Sequence, residues 1–493
     1  MKENYNKLID YLKKIGDLNY TVTMLRWEMD TVAPKSSYEY LINVSTNYEM
    51  EAFKLTTNKE YIELIENLIN SEEYNELNEM EKTYINQLKE KYYRFINIPE
   101  DFYERYCKLK NDSLNSWVEA KEKSDYLIFK PYLENIIKST KKLYNYMYPN
   151  NNNLYDCMLN EYETGITSDV IDKLFMELKE KIIPIIKNLK DDRHIKLNPD
   201  FLDSELIKIG YELLDYIGFD NSRGALGIYT HGYTTKLNNN DVRITFSNKN
   251  NIIDILSTII HEGGHGIFEQ NIDKSLAEFP TYEIDKYALH ESQSRFFENI
   301  LGRNINFWKP IYNDIKSKIK VDISLDEFVE QFNIAKPSLI RTEADELTYC
   351  MHIIIRYEIE RDIFNSGEKD FDLENLPEIW YKKYKEYLGV DVKSDREGIL
   401  QDMHWSDGSF GYFPSYLLGS IFDGMLLEKI EKDLGNVDEI LANGNIKIIT
   451  KFLNDNIHKF GGTYNINETA KRVCGKNLEV DSLVKYFKIK YLR

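Results

Sequence analysis

Apolar residues recur along most of the chain at the three- and four-residue spacing of amphipathic helices. In "TSDVIDKLFMELKEKIIPIIKNLK" (167–190) the pattern predicts a helix capped at Thr167/Ser168, with Val170, Leu174 and Leu178 on its apolar face. Similar spacing predicts helices through 60–145, 310–365 and 410–435. One stretch departs from it. "IYTHGYTTKLNNNDVRITFS" (228–247) carries β-branched and aromatic residues in two runs around an asparagine-rich turn, which predicts a β-hairpin. In its second strand Val242, Ile244 and Phe246 share one face, and Arg243 and Thr245 the other. Helical spacing then resumes, with Ile252, Ile255, Leu256, Ile259 and Ile260 forming a wide apolar stripe. The biased segments, "PNNNN" near 150 and "LNNND" near 240, are short and read as loop tips. With no internal repeat or long linker, one helical unit over residues 1–493 is expected rather than several beads.

Composition narrows the partners. The 82 acidic residues against 63 basic ones give a net charge of −19, which argues against nucleic acid or an anionic membrane. No apolar run has the length of a membrane span, and the opening "MKENYNKLIDYLKK" is amphipathic rather than signal-like. Cys107, Cys157, Cys350 and Cys474 lie far apart with no CxxC pair, as expected of free, mostly buried thiols in a reducing cytoplasm.

The apolar stripe leads into "TIIHEGGHGIFEQN" (258–271). His261 and His265 stand four apart, on one face of a helix, and can grip one metal ion while Glu262 points to the side. With only eight histidines in the chain, about two chance HExxH matches are expected per hundred such sequences. Gly263 and Gly264 each cost about 1 kcal/mol in a helix relative to alanine, so a substrate backbone or a neighbouring helix must need the space. A catalytic zinc site takes three protein ligands and one open position. The next predicted helix, "YALHESQSRFFENILG" (287–302), offers His290 or Glu291, of which only one can face the ion. Two histidines plus a carboxylate is the ordinary hydrolytic set and favours Glu291.

These motifs stand among others. "LRWEMDTVAPKSS" (25–37), "YDCMLNEYETGITSDVIDKLF" (155–175), "DVRIT" (241–245), "HEGGH", "HESQS" (290–294), "IRTEADELTY" (340–349), "GILQDMHW" (398–405), "GSFGYFPSYLLG" (408–419) and the C-terminal "GGTYNINETAKRVCGKNLEVDSLVKYF" (461–487) follow in order. Together they resemble the carboxypeptidase Taq family of zinc metallocarboxypeptidases, almost end to end. The resemblance implies a mainly α, two-lobed fold with a deep substrate groove and a small sheet beside the HExxH helix. It implies His261, His265 and Glu291 as ligands of one Zn2+ per chain, with Co2+ or Mn2+ as substitutes, and Glu262 as general base. It further implies a homodimer that releases C-terminal residues from peptides. "THGYTT" (230–235) departs from the family's His-Pro-Phe segment: His231 is retained, but Gly232 and Tyr233 replace the usual pair.

A carboxypeptidase must read a free α-carboxylate, for which arginine's planar fork is suited. Arg341 is the first candidate and Arg243 the second, a ranking carried by the family pattern. Their structural alternatives are an ion-paired helix face with Glu343, Asp345 and Glu346, and a strand-surface pair with Asp241. Tyr412 or His404 can donate to the developing oxyanion. Two other functions share the motif: a helical-groove oligopeptidase cutting internal bonds, and an inactive peptide-binding protein.

Overall fold

The helix that carries "HEGGH" runs Ile252–Gln270 and is buried on nearly every side over its second half, from Glu262 to Gln270. A helix without a solvated face belongs inside the molecule. The computed structural model describes residues 2–189, 195, 197, 201–249, 251–366 and 371–492. Helices dominate them, joined by one three-stranded sheet in which β3 (Asp241–Phe246) lies between β1 (Gly224–Ile228) and β2 (Tyr233–Asn238).

The expected hairpin is present as β2 (Tyr233–Asn238) and β3 (Asp241–Phe246), antiparallel, with an irregularity between Lys236 and Asn238. The sequence pattern missed β1 (Gly224–Ile228), which pairs parallel to β3. The strand with Arg243 is therefore central, and only β1 and β2 are edges. Val242, Ile244 and Phe246 are fully buried, as their alternation predicts. Their face packs on the Ile252–Gln270 helix, so the sheet and the helix fix one another.

The regions expected to be helical are so in pieces. The first comprises Lys59–Ile69, Glu79–Phe95, Glu100–Lys123 and Tyr126–Met147, and the last is Phe413–Leu434. The 310–365 expectation needs correcting. Tyr312–Ile319, Leu325–Phe332 and Tyr349–Asn365 are α-helical, but 333–348 is irregular apart from a 3-10 turn at Arg341–Glu343. Asn333 ends the preceding helix and folds its amide back to donate to the Val329 carbonyl at 2.9 Å; Pro337 then disfavours helix for its predecessor. In Ser168–Ile186 the buried stripe is Ile171, Leu174, Phe175, Leu178 and Ile182, while Val170 is exposed. Thr167 holds the cap position without a side-chain hydrogen bond, and Asp156 accepts from the Ser168 N–H at 2.7 Å instead.

The four cysteines are free; Cys157 and Cys350 are buried, and Cys107 and Cys474 half-buried. Among the described residues no helix is long and apolar enough to cross a membrane.

The space at Gly263 and Gly264 is taken by protein. A Cβ on Gly263 would stand 2.6 Å from Ile217 Cδ1. One on Gly264 would stand 2.6 Å from Ser294 Cα and 2.7 Å from the Gln293 carbonyl oxygen, in the backbone of the helix Tyr287–Arg295. On that helix's other side, a Cβ on Gly419 of Phe413–Leu434 would meet the Ala288 carbonyl oxygen at 2.8 Å. Two glycines thus clamp the helix bearing Glu291. Gly264→Ala gains about 1 kcal/mol of helix propensity but overpacks against backbone, at about 1–3 kcal/mol. A lower Tm together with lower metal occupancy is expected; thermal unfolding at or above the parent's Tm would contradict the clamp.

Candidate metal centre

On the clamped helices, His261, His265 and Glu291 each offer a ligand atom within 4.8 Å of the others. Glu291 Oε1 lies 3.9 Å from His261 Nε2, and Oε2 lies 3.5 Å from His265 Nε2. Both imidazoles thus present Nε2 to one point, and what they do with Nδ1 explains why. His261 Nδ1 donates to Glu298 at 2.9 Å. His265 Nδ1 meets His290 Nδ1 at 2.5 Å, and His290 Nε2 meets Glu269 at 3.0 Å. The far oxygen of Glu269 pairs with Lys236 of β2 at 3.0 Å. Glu269 as terminal acceptor assigns the protons: His290 donates from Nε2 and accepts at Nδ1, and His265 donates from Nδ1. The Nε2 lone pair of His265 is then free, and that of His261 is free in its neutral form. His290 stands behind His265 and does not face the triad.

The electrostatics separate the two imidazoles. Burial and the neighbouring His290 push His265 down to about 4, so it is neutral. Burial also opposes charge on His261, but the Glu298 hydrogen bond and the charges of Glu291, Glu298 and Glu262 outweigh it and raise it to about 9. Glu291 falls to about 2 despite burial, because His265, His261 and Arg295 hold it ionised. Carboxylates therefore converge on the triad from two helices, with Arg295 3.9 Å from Glu291 as a nearby counter-charge. Two neutralisable imidazoles and a carboxylate, with lone pairs aimed inward, are a donor set that fits a divalent cation.

Glu262 is buried, with its carboxyl oxygen Oε2 accepting from the Thr234 hydroxyl at 2.7 Å. Burial is the main cause of its raised pKa. Gly232 passes close by; a Cβ there would stand 3.3 Å from Glu262 Oε1 and clash with Thr258. His231, its neighbour, is exposed, and its carbonyl accepts from the Thr245 hydroxyl at 3.0 Å. Tyr233 donates to Asp30 of the N-terminal helix Glu3–Thr31 at 2.9 Å.

Tyr412 and His404 sit side by side, ring centroids 5.6 Å apart. Burial and the Glu291 charge both raise the Tyr412 pKa, keeping the hydroxyl protonated. Burial, Arg341 and Arg356 hold His404 down to about 4 against the pull of Asp402, so it too is neutral. Its buried Nδ1 has no protein partner among the described residues.

Arg341 is buried in an aromatic box of Tyr349, Phe413 and Tyr416. Its Nε donates to Asp402 at 2.9 Å and its Nη1 to the Tyr349 hydroxyl at 3.0 Å. Two of the expected alternative partners are occupied elsewhere. Asp345 accepts from the Leu347 and Thr348 N–H groups, and Glu346 takes Lys490, Tyr486 and Tyr491. Arg243 does form the strand-surface pair: Nε and Nη2 both donate to Asp241, at 2.9 and 2.8 Å, and the guanidinium lies over Trp27.

Sequence reasoning missed Glu298, Glu269, Thr234, Lys236 and Asp402. Glu298 was signalled, because it follows Glu291 by seven residues, two turns along the same face. The backbone there is a π-helical turn, Phe296–Leu301. Glu269 was signalled in the same way, four residues after His265 on one helix, whereas Thr234, Lys236 and Asp402 touch the site from distant segments and leave no local trace.

The sequence pattern of the carboxypeptidase Taq (M32) metallopeptidases matches residues 7–491. The chain is 38% identical to "Carboxypeptidase 1" of Bacillus subtilis, over 98% of this chain and 97% of the relative. It is 29% identical to "Thermostable carboxypeptidase 1" of Pyrococcus furiosus, over 99% of each. The solved structure of a Pyrococcus furiosus carboxypeptidase superimposes with a TM-score of 0.92, at 28% identity and 99% coverage of each chain.

Competition with a chromophoric chelator tests the ligand set. Glu291→Ala is expected to lose Zn2+ binding severely, whereas His290→Ala and Glu269→Gln lose roughly 10- to 100-fold in affinity. The opposite order would move the ligand to His290.

Proposed function

As a member of the carboxypeptidase Taq (M32) metallopeptidase family, this chain is a metal-dependent carboxypeptidase, and we propose that His261, His265 and Glu291 hold one Zn2+ while Glu262 serves as general base. The observation that carries this reading is the convergence of three ligand atoms within 4.8 Å, beside a buried carboxyl with a raised pKa. Co2+ and Mn2+ are suitable substitutes, because affinity order alone does not set occupancy.

When bound, a divalent cation supplies Lewis acidity at the open side of the triad. The chain's own groups do the rest. Glu262 takes the proton of the attacking water and passes it to the leaving amine, and its raised pKa brings it nearer to the neutral range that such a shuttle needs. Thr234 holds the carboxyl by Oε2, leaving Oε1 toward Gly232 and the site. The Tyr412 hydroxyl, with His404 beside it, donates to the oxyanion. Both are neutral donors and cost nothing in charge separation.

In this reading Arg341 binds the substrate's terminal carboxylate through the end of its fork. Asp402 and the aromatic box hold the guanidinium rigid, and Nη2 makes no hydrogen bond to protein among the described residues. Arg243 ranks second because Asp241 takes its Nε and Nη2 and Met24 Sδ its Nη1, which leaves no nitrogen of the fork unpartnered. His231, exposed and one residue from the Gly232 that passes Glu262, is assigned to substrate binding in the same reading. The two lobes, the deep groove, a homodimeric assembly and a cytoplasmic location belong to this proposal. So does a single catalytic unit, which one connected cluster of buried apolar side chains from Tyr5 to Phe487 supports.

Glu262→Gln is expected to keep its metal and lose roughly 100- to 10,000-fold in kcat. Loss of metal with turnover recovered on adding Zn2+ would refute the base assignment. Arg341→Lys keeps the charge but not the fork. Charge-assisted contacts contribute about 1.5–3 kcal/mol, or roughly ten- to a hundredfold in kcat/KM. That loss is expected on free-acid peptides and should nearly vanish on C-terminally amidated ones. Equal losses on both would shift the role to Arg243. Efficient cleavage of amidated peptides by the parent protein would favour the oligopeptidase alternative.

A further inference from the structure

Glu360 belongs to the helix Tyr349–Asn365 and is fully buried. Its carboxylate has no role in the chemistry above, yet it accepts three hydrogen bonds. Oε1 takes the Trp405 indole N–H at 2.6 Å, and Oε2 takes the Gly411 N–H at 2.9 Å and the Tyr155 hydroxyl at 3.0 Å. Two of the three donors stand at the two ends of the segment 405–411. The residues just outside those ends are His404 and Tyr412.

That segment has no helix or sheet ladder to hold it. It turns through Gly408 and Gly411, at φ +81° and +88°, conformations that L side chains avoid. Gly411 also lies flat against the Leu154–Tyr162 helix, where a Cβ would meet the Met158 carbonyl carbon at 2.9 Å. Tyr155, the third donor, comes from that same helix. Glu360 therefore ties three pieces together at the point where the chain leaves the segment and enters Tyr412. A buried carboxylate is costly unless its lone pairs are filled, and an amide in its place offers one acceptor oxygen and turns an NH2 toward donors.

We propose that Glu360 is a positioning residue for the reaction: it bolts the segment 405–411 in place so that the Tyr412 hydroxyl stays placed to donate to the oxyanion. It acts on turnover through Tyr412, separately from metal binding. The inference rests on the reading of Tyr412 as oxyanion donor. Displacements of about 1 Å in such a group cost on the order of a hundredfold in rate.

The test is a double-mutant cycle of Glu360→Gln and Tyr412→Phe, read as kcat and KM on a short free-acid peptide, with metal content and Tm measured alongside. Glu360→Gln is expected to keep its metal and KM and to lose roughly ten- to a hundredfold in kcat. In the Tyr412→Phe background the same substitution should cost less than about twofold, since the group it aims is gone. Tyr155→Phe, which removes one of the three bonds and keeps the carboxylate, should show a smaller loss of the same kind even if Glu360→Gln folds poorly. Unchanged kcat in both Glu360→Gln and Tyr155→Phe, an equal loss in both backgrounds, or activity that falls only in step with metal content overturns the inference. Full turnover in Tyr412→Phe alone overturns the oxyanion reading itself, and is thereby distinguished from failure of Glu360 alone.

Discussion

Two histidines one turn apart converge on a single ion only if each ring is held from behind. Glu298 does this for His261, and His290 does it for His265 with Glu269 and Lys236 in series. Each restraint uses Nδ1 and so leaves Nε2 facing inward. The remainder of the centre follows from that constraint. Glu291 can be shared between the two Nε2 atoms only because its helix lies at backbone contact with Gly264, and that helix is pressed there by Gly419. Buried polar links keep it from rotating: Ser292 donates to Asp423 at 2.7 Å and Arg295 to Ser420 at 2.7 Å.

The same logic extends to the proposed carboxylate subsite. Arg341 and Arg356 share Asp402, which their charges hold ionised despite burial. Two guanidiniums around one carboxylate leave a net positive charge inside an aromatic wall, suited to an incoming carboxylate. Lys236 ties the sheet to the candidate centre, since it lies on the edge strand β2 and supports the chain of contacts behind His265. A prospective metal ligand and the strand beside the site are therefore not independent.

What the sequence disclosed was what helical and strand periods make local. The four-residue spacing of His261 and His265, the alternation of Val242, Ile244 and Phe246, and the apolar stripe of Ile252–Ile260 all concern neighbours within two turns or one pleat. The mainly helical class and the small sheet beside the HExxH helix follow from such patterns and from the ordered motifs. Contacts between distant segments stayed hidden. Asp402 lies 61 residues from Arg341, and Thr234 lies 28 from Glu262. β1 escaped because "GALGI" lacks the alternation of a half-buried strand. The break at 333–348 was masked by apolar residues that pack there without helical geometry, and Val170 was misplaced by one position on a correctly predicted helix. The glycines of "HEGGH" were legible as a demand for space, but only the fold identifies the occupant as the Gln293–Ser294 backbone.

The central claim is that three particular side chains, and no neighbouring ones, form the metal centre. Anomalous scattering at the zinc edge, from crystals loaded with one equivalent of Zn2+, tests it most directly. A single peak at about 2.0–2.2 Å from His261 Nε2, His265 Nε2 and a Glu291 carboxylate oxygen is the result this account predicts. A peak ligated by His290 or Glu269 in place of Glu291 would contradict it.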